Sequence, residues 1–364
     1  MESRLYKSVV IELRPKLRSA NVFIVLKEDC PETASISLSE NNFSVSLGDN
    51  RQFSTYLQDF KAEASTLSSL KISKKHISFR FFTSHSNSGS FKTELIENSS
   101  SSDKSEHFND IQPNTSYTIA CVNCQRNLCS STLTFRRVLP LPDTLDQNDW
   151  FCHAHASNQV QASSLEPTLK DFFYTACYMH LSKNSIKNFL SKNEVVVCKF
   201  CLNWLGIHSQ NSTLRLWFNT VTITDIGGTV IQTNGLSDVF LTIANLFRNS
   251  LFNSLRTVFR YRKSNGASNF LLLWVLEKQL KISFSDKDAL DKEMEVAKAL
   301  FMFLENEKHE VLEQWLNDQT VELVDVSRNM MLEVLKHLYK CHELFPAEFA
   351  KSNGFLVSYL FMYE

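Results

Sequence analysis

The sequence predicts a mixed α+β fold in three parts. These are an antiparallel β-domain over residues 1–116, a cysteine-clamped segment over 117–206 and a mixed α+β region over 207–364. Three observations carry this. Short runs near the start alternate apolar and polar residues with a period of two, the signature of half-buried strands. Two Cys-x-x-Cys units lie far apart in the middle of the chain. Apolar residues then recur with helical spacing in several later segments.

In the first part, residues 9–13, 21–26, 43–47 and 77–81 read as strands of a sandwich or half-barrel. Residues 84–90 and 98–105 are rich in serine and poor in apolar side chains, so they read as loops or linker. Residues 117–120 form a strand leading into Cys121, and 213–224 is strongly strand-like. Residues 237–255 have helical spacing, with Phe240, Ile243, Ala244, Phe247 and Leu251 on one face. Residues 270–276 and 280–284 read as two strands joined by a polar turn. Helices are expected over 288–304, 309–316 and 326–342.

Composition bounds the function. At 364 residues and 43% hydrophobic, the chain exceeds one ordinary domain and can bury real cores. Its 38 Lys and Arg nearly cancel 39 Asp and Glu, so no global field recruits nucleic acid or anionic membrane, and no direct nucleic-acid partner is expected. The local exception is Arg248, Arg256, Arg260, Arg262 and Lys263. It reads first as a solvated face, and otherwise as a patch for an acidic protein or RNA. The N-terminus has no apolar core of signal-peptide length, and no apolar run approaches the roughly 20 residues of a membrane span. Nine cysteines, an odd number, suit thiols and metal ligation in a reducing compartment, so residence in cytoplasm and nucleus is expected.

Cys121-Val122-Asn123-Cys124 and Cys198-Lys199-Phe200-Cys201 are two knuckles, each expected to follow a strand. Two-residue spacing lets both thiolates of a turn reach one ion, and two such turns complete the closed four-cysteine shell of structural zinc. The alternative is a set of buried free thiols. A long insertion between ligands is tolerable, because loop-closure entropy grows slowly with length. Cys129 can substitute as a ligand but fits no knuckle.

Between the knuckles lie Arg137-Val138-Leu139-Pro140-Leu141-Pro142 and Trp150-Phe151-Cys152-His153-Ala154-His155. Alternating Leu and Pro favour an extended, polyproline-like backbone suited to docking along a groove, with Trp150 as an anchor. Cys152 has three readings: ligand of a second zinc or replacement ligand of the first together with His153 or His155, plain packing, or a free thiolate offered to a partner. The sequence alone leaves them open.

This ordered set, with Leu205-Gly206, resembles the HECT-like, ubiquitin-conjugating-enzyme-binding family; residues 271–276 and 335–339 also resemble it. The resemblance implies a ubiquitin-protein ligase that binds a conjugating enzyme and cyclin B. It also implies a partner in pre-mRNA 3′-end processing, the metallo-β-lactamase-type endonuclease. There Leu139, Pro140, Leu141, Pro142, Trp150, Cys152 and His153 would form the docking strip, and Cys152 would enter the nuclease zinc site. On that alternative the protein is a non-catalytic inhibitor or assembly chaperone. HECT-type chemistry needs a cysteine that accepts ubiquitin as a thioester. The candidates are Cys341, with His342 beside it as a base, and Cys152; the competing reading of Cys341 is a small apolar residue at a helix end.

Overall fold

The computed structural model describes residues 5–14, 17–31, 33–48, 51–57, 60–85, 111–141, 166–210, 212–249, 254–285 and 294–361. Among them an eleven-stranded sheet joins the two ends of the chain. Strand Tyr6–Arg14 lies between Ser19–Leu26 and the long strand Ser268–Ser285, antiparallel to both. From there the sheet continues through Met294–Leu304 to Phe355–Leu360. On the other side it runs through His76–His85 to Phe60–Ala62. Residues of the first and last parts of the sequence thus share one hydrogen-bonded ladder.

Both faces of this sheet are covered. On one, Val9, Ile11, Val22, Ile24 and Phe79 pack against Phe43 and Val45 of a three-stranded sheet over residues 35–56. Further along the same sheet, Phe259, Leu271, Leu273 and Phe301 meet helices Gly235–Asn249 and Arg328–His342 through Ile243, Phe247, Val334 and Leu338. A third core holds Val10, Phe23, Leu272 and Leu300 with Trp315 and Phe345. Each such side chain taken fully from water contributes about 1.5–3 kcal/mol. Asn234 and Ser327 start the two helices: their side chains accept from the N–H groups of Leu236 and Met330 at 2.8 and 3.0 Å.

Two smaller sheets make the central part. A seven-stranded sheet runs in the order Arg137–Pro140, Asp171–Tyr174, Tyr178–Ser182, Thr213–Trp217, Trp204–Gln210, Val195–Cys198, Phe189–Lys192. One face packs through Phe172, Met179, Val196, Leu205 and Leu216 against Tyr117, Ile119, Val221 and Ile223 of a four-stranded sheet. Its other face places Val197, Trp204 and Trp217 in the core shared with the two helices.

The early strands, the strands before each knuckle and the helices near 309–316 and 326–342 form as expected. Three expectations are corrected. The helix expected over 237–255 is Gly235–Asn249, and Leu255 instead opens a strand, Leu255–Arg262. Residues 294–304 are a strand, Met294–Leu304, rather than part of a helix. Val296 and Leu300 enter one core while Ala297, Ala299 and Phe301 enter another. A strand buried on both faces loses the period-two pattern and cannot be told from a helix by periodicity. Residues 270–276 and 280–284 belong to one strand, whose polar Glu277-Lys278-Gln279 stretch coincides with two register shifts against Met294–Leu304. The extra residues are absorbed as bulges, not as a turn. Among the described residues, no helix is long and apolar enough to cross a membrane.

Candidate metal centre and partner-binding residues

Each Cys-x-x-Cys unit begins at the last residue of a strand: Cys121 ends Ser116–Cys121 and Cys198 ends Val195–Cys198. The backbone then turns back through the same bonds twice. Gln125 N–H donates to the Cys121 carbonyl at 2.8 Å, and Leu202 N–H to the Cys198 carbonyl at 2.9 Å. Cys121 and Cys198 N–H groups donate to the Arg126 and Asn203 carbonyls at 3.0 and 2.8 Å. Gln125 and Leu202 both take left-handed conformations, with φ of 57° and 59°, which closes each turn. The first cysteine of each knuckle is fully buried and the second half-buried.

The two turns face each other. Cys121 Sγ lies 3.7 Å from Cys201 Sγ, and Cys124 Sγ 3.7 Å from Cys198 Sγ. All four sulfurs lie within 4.8 Å of one another. Four thiolates placed about 2.3 Å from a common ion define a tetrahedron with edges of about 3.8 Å, so the donor set fits one tetrahedral metal. Burial pushes the Cys121 thiol up to about 12, opposed by the N–H groups of Cys124 and Asn123 aimed at its sulfur. Cys198 is also raised by burial, with Cys201 and Phe200 N–H groups opposing. Sulfurs in that position ionise when a cation shares them. These four cysteines can hold a metal ion, and it would join the edges of the two central sheets. Cys129 stands outside the group: it is buried in the core between those sheets, its thiol pushed up to about 11 by burial.

Leu139 and Pro140 lie on the outer strand Arg137–Pro140, which is parallel to Asp171–Tyr174. The strip is hydrogen-bonded here, unlike a free polyproline segment: Leu141 N–H donates to the Tyr174 carbonyl at 2.6 Å. Arg137 grips Asp171 with two bonds of 2.7 and 2.6 Å, and Asp171 is also bound by Thr168. Arg137 and, more weakly, Thr168 hold the Asp171 carboxyl down at about 2 against the opposing effect of burial. Leu139 is 45% exposed. Pro142, Trp150, Cys152, His153 and His155 lie outside the described residues.

Cys341 is 2% exposed in the core beneath Phe345 and Tyr359, 3.7 Å from His337 Nε2. Burial pushes its thiol up to about 12. The expected neighbouring base, His342, instead bonds the Val357 carbonyl through Nδ1 at 2.9 Å. In this conformation the thiol faces the core. The basic run is largely neutralised: Arg256 pairs with Asp318, Arg260 with Asp325, and Arg262 with Asp325 and Glu194.

Two polar clusters escape the sequence. Glu12, fully buried, accepts from Lys298 Nζ and Tyr359 Oη at 2.7 Å, Asn21 Nδ2 at 3.0 Å and Arg14 Nε at 3.2 Å. Asp238, 2% exposed, accepts from Asn219 and Thr233, and Asn219 accepts in turn from Ser327. Their partners lie up to 347 positions apart, so only a polar residue inside an apolar run (Glu12 in Ile11-Glu12-Leu13) signals them. Gly206 of the Leu205-Gly206 pair does have a legible reason: a Cβ there would collide with the Arg215 carbonyl of the neighbouring strand.

Compared with known proteins, residues 12–357 match the family described as HECT-like ubiquitin-conjugating enzyme (E2)-binding. No curated protein and no solved structure matches the chain.

Proposed function

The chain belongs to the HECT-like, ubiquitin-conjugating enzyme (E2)-binding family, and from that premise we propose that it docks an E2 and promotes ubiquitin transfer from it, with structural zinc in its four-cysteine cluster. The observation that carries the reading is the extent of the family match, 12–357, which takes in nearly every element of the fold. Four sulfur donors without an oxygen or nitrogen ligand favour zinc among common cellular divalent ions, in its closed structural form. The burial of Cys341 supports direct passage of ubiquitin from the E2 to a substrate, cyclin B by the family resemblance, without a thioester at that residue.

The test is to incubate the protein with a panel of ubiquitin-charged E2 enzymes and to follow complex formation and loss of the E2 thioester. At least one E2 is expected to bind and discharge faster, with Cys341→Ser acting like wild type. Failure to bind any E2 overturns the reading. A ubiquitin ester trapped on the Cys341→Ser protein would establish that position as acceptor and overturn direct transfer.

A second reading draws on the outer strand. Exposed Leu139 and Pro140, which has no N–H to offer, stand on a strand pinned by Arg137 and Asp171. That supports the docking strip of a non-catalytic inhibitor or assembly chaperone for the metallo-β-lactamase-type 3′-end-processing endonuclease, with Cys152 as the ligand delivered to its zinc. Leu139→Ser and Cys152→Ala should each weaken capture of that endonuclease with melting unchanged; undiminished capture by both would remove this reading.

A further inference from the structure

We propose that the outer surface of the two cysteine knuckles binds single-stranded nucleic acid, with Phe200 as the stacking platform and Arg126, Lys187 and Lys199 as phosphate contacts. The proposal stands on the surface of the knuckles and goes beyond the E2-binding reading.

The chain as a whole is nearly neutral, but its charge is unevenly placed. No Asp or Glu occurs between residues 111 and 141, and Glu194 is the single acidic residue between 172 and 224. Glu194 sits at the far end of the Phe189–Lys192 and Val195–Cys198 hairpin, paired with Arg262 at 2.7 Å. The knuckle end therefore carries cations without carboxylates from its own segments. Among the described residues, Arg126, Lys187 and Lys199 make no ion pair. A divalent ion on four thiolates would carry two negative charges, which these three cations outnumber.

Backbone bonds bring the cations together. Lys187 and Asn188 N–H groups donate to the Leu128 carbonyl at 2.8 and 3.0 Å, and Lys199 N–H to the Asn188 carbonyl at 3.1 Å. Asn188 Nδ2 donates to the Asn127 carbonyl at 2.9 Å. The Arg126 guanidinium lies over the Phe200 ring, 4.8 Å from its centroid. It links the tip of one knuckle to the tip of the other. Phe200 is 42% exposed, so part of its ring is open to a ligand.

A planar apolar ring in a frame of unpaired cations matches a base and its phosphates. Stacking tolerates any base, and the cations follow the backbone. A duplex hides its base faces, so the unpaired strand is the form this tip can read. An acidic protein would offer charge without the planar partner.

The experiment uses the full chain, purified with its metal, and fluorescein-labelled oligouridylate and oligothymidylate of about 12 nucleotides, with a duplex of equal length. Fluorescence anisotropy is recorded between about 50 and 200 mM KCl. Both single strands, or RNA alone if the 2′-hydroxyl is read, should bind more tightly than the duplex. The affinity should fall about twentyfold over that range, since three phosphate contacts on a single strand give a log–log slope of about −2. Phe200→Ala should weaken binding about fivefold to a hundredfold with metal content and melting unchanged. The doubly substituted Lys187→Gln, Lys199→Gln protein should reduce the slope to about −0.7. Lys351→Gln, exposed on the outer edge of the large sheet, should change nothing. No saturable binding, binding indifferent to both variants, or preference for the duplex overturns the proposal. So does a Phe200→Ala protein that loses E2 capture while oligonucleotide binding is unchanged, which would make the tip a protein-docking surface.

Discussion

Replacing Cys198 by Ser tests whether a metal joins the two central sheets. Cys198 is fully buried, its sulfur is 3.7 Å from Cys124 Sγ, and it belongs to the core between the seven- and four-stranded sheets. Structural zinc in small finger peptides is held by about 10–16 kcal/mol near neutral pH, so each of four thiolates stands for about 2.5–4 kcal/mol. A serine oxygen is a harder, more basic donor that does not ionise here, and it leaves Cys124 without its partner across the ion. The expected loss of stability is about 2.5–4 kcal/mol or more. At about 2 °C per kcal/mol for large domains, the melting temperature should fall by at least about 5 °C. Metal content by inductively coupled plasma mass spectrometry should drop from one equivalent, and stripping the wild type with a chelator should reproduce the melting shift. Cys129→Ser is the control: its sulfur lies outside the cluster, so that variant should keep the metal. A Cys198→Ser protein that retains a full equivalent and melts with the wild type would refute the clamp. Equal metal loss in Cys129→Ser would refute the ligand assignment.

Three further outcomes follow from the buried polar groups. Glu12→Gln should destabilise by about 3–5 kcal/mol in urea melts, because it leaves Lys298 buried against a neutral amide. Burial pushes the Glu12 carboxyl up, but Lys298, Arg14 and Tyr359 outweigh it and hold it below the usual 4.5. Its stabilisation is therefore complete above about pH 4.5 and is lost as pH falls through the lower folded value, a part of the acid slope that the Gln variant should lack. His180 is driven down to about 3, first by burial and then by Arg215, whose Nε donates to its Nε2 at 3.0 Å. The unfolded chain binds that proton near pH 6.5, so stability should be lost as pH falls from 6.5 towards 3; His180→Gln should flatten this limb in melts across that range. Asp171→Asn should cost about 1.5–3 kcal/mol by releasing Arg137, and amide exchange at Leu139 and Leu141 should quicken as the outer strand frays.

Much of the local structure was legible because local rules were obeyed. Asn42–Ser46 alternates half-buried and buried residues, and both knuckles follow strands ending in cysteine. The donor set for a metal was legible for the same reason, since two-residue spacing is a property of a turn. Cys341 shows where residue chemistry stops being informative: a cysteine beside a histidine looks like a nucleophile with its base, yet tertiary packing buries the thiol and engages His342 elsewhere. Met294–Leu304 shows the same for secondary structure, because burial on both faces erased its period.

The amino-acid sequence by itself determined the early strands, the two knuckles and the family to which they belong, because each is written in neighbouring residues. Only the tertiary structure decided that the first strand, Tyr6–Arg14, pairs with Ser268–Ser285 in one sheet. It also decided that Glu12 meets Lys298 and Tyr359, and that Arg126 comes to rest over Phe200. Contacts between distant positions depend on which surfaces the whole chain can cover at once, and no local pattern encodes that competition.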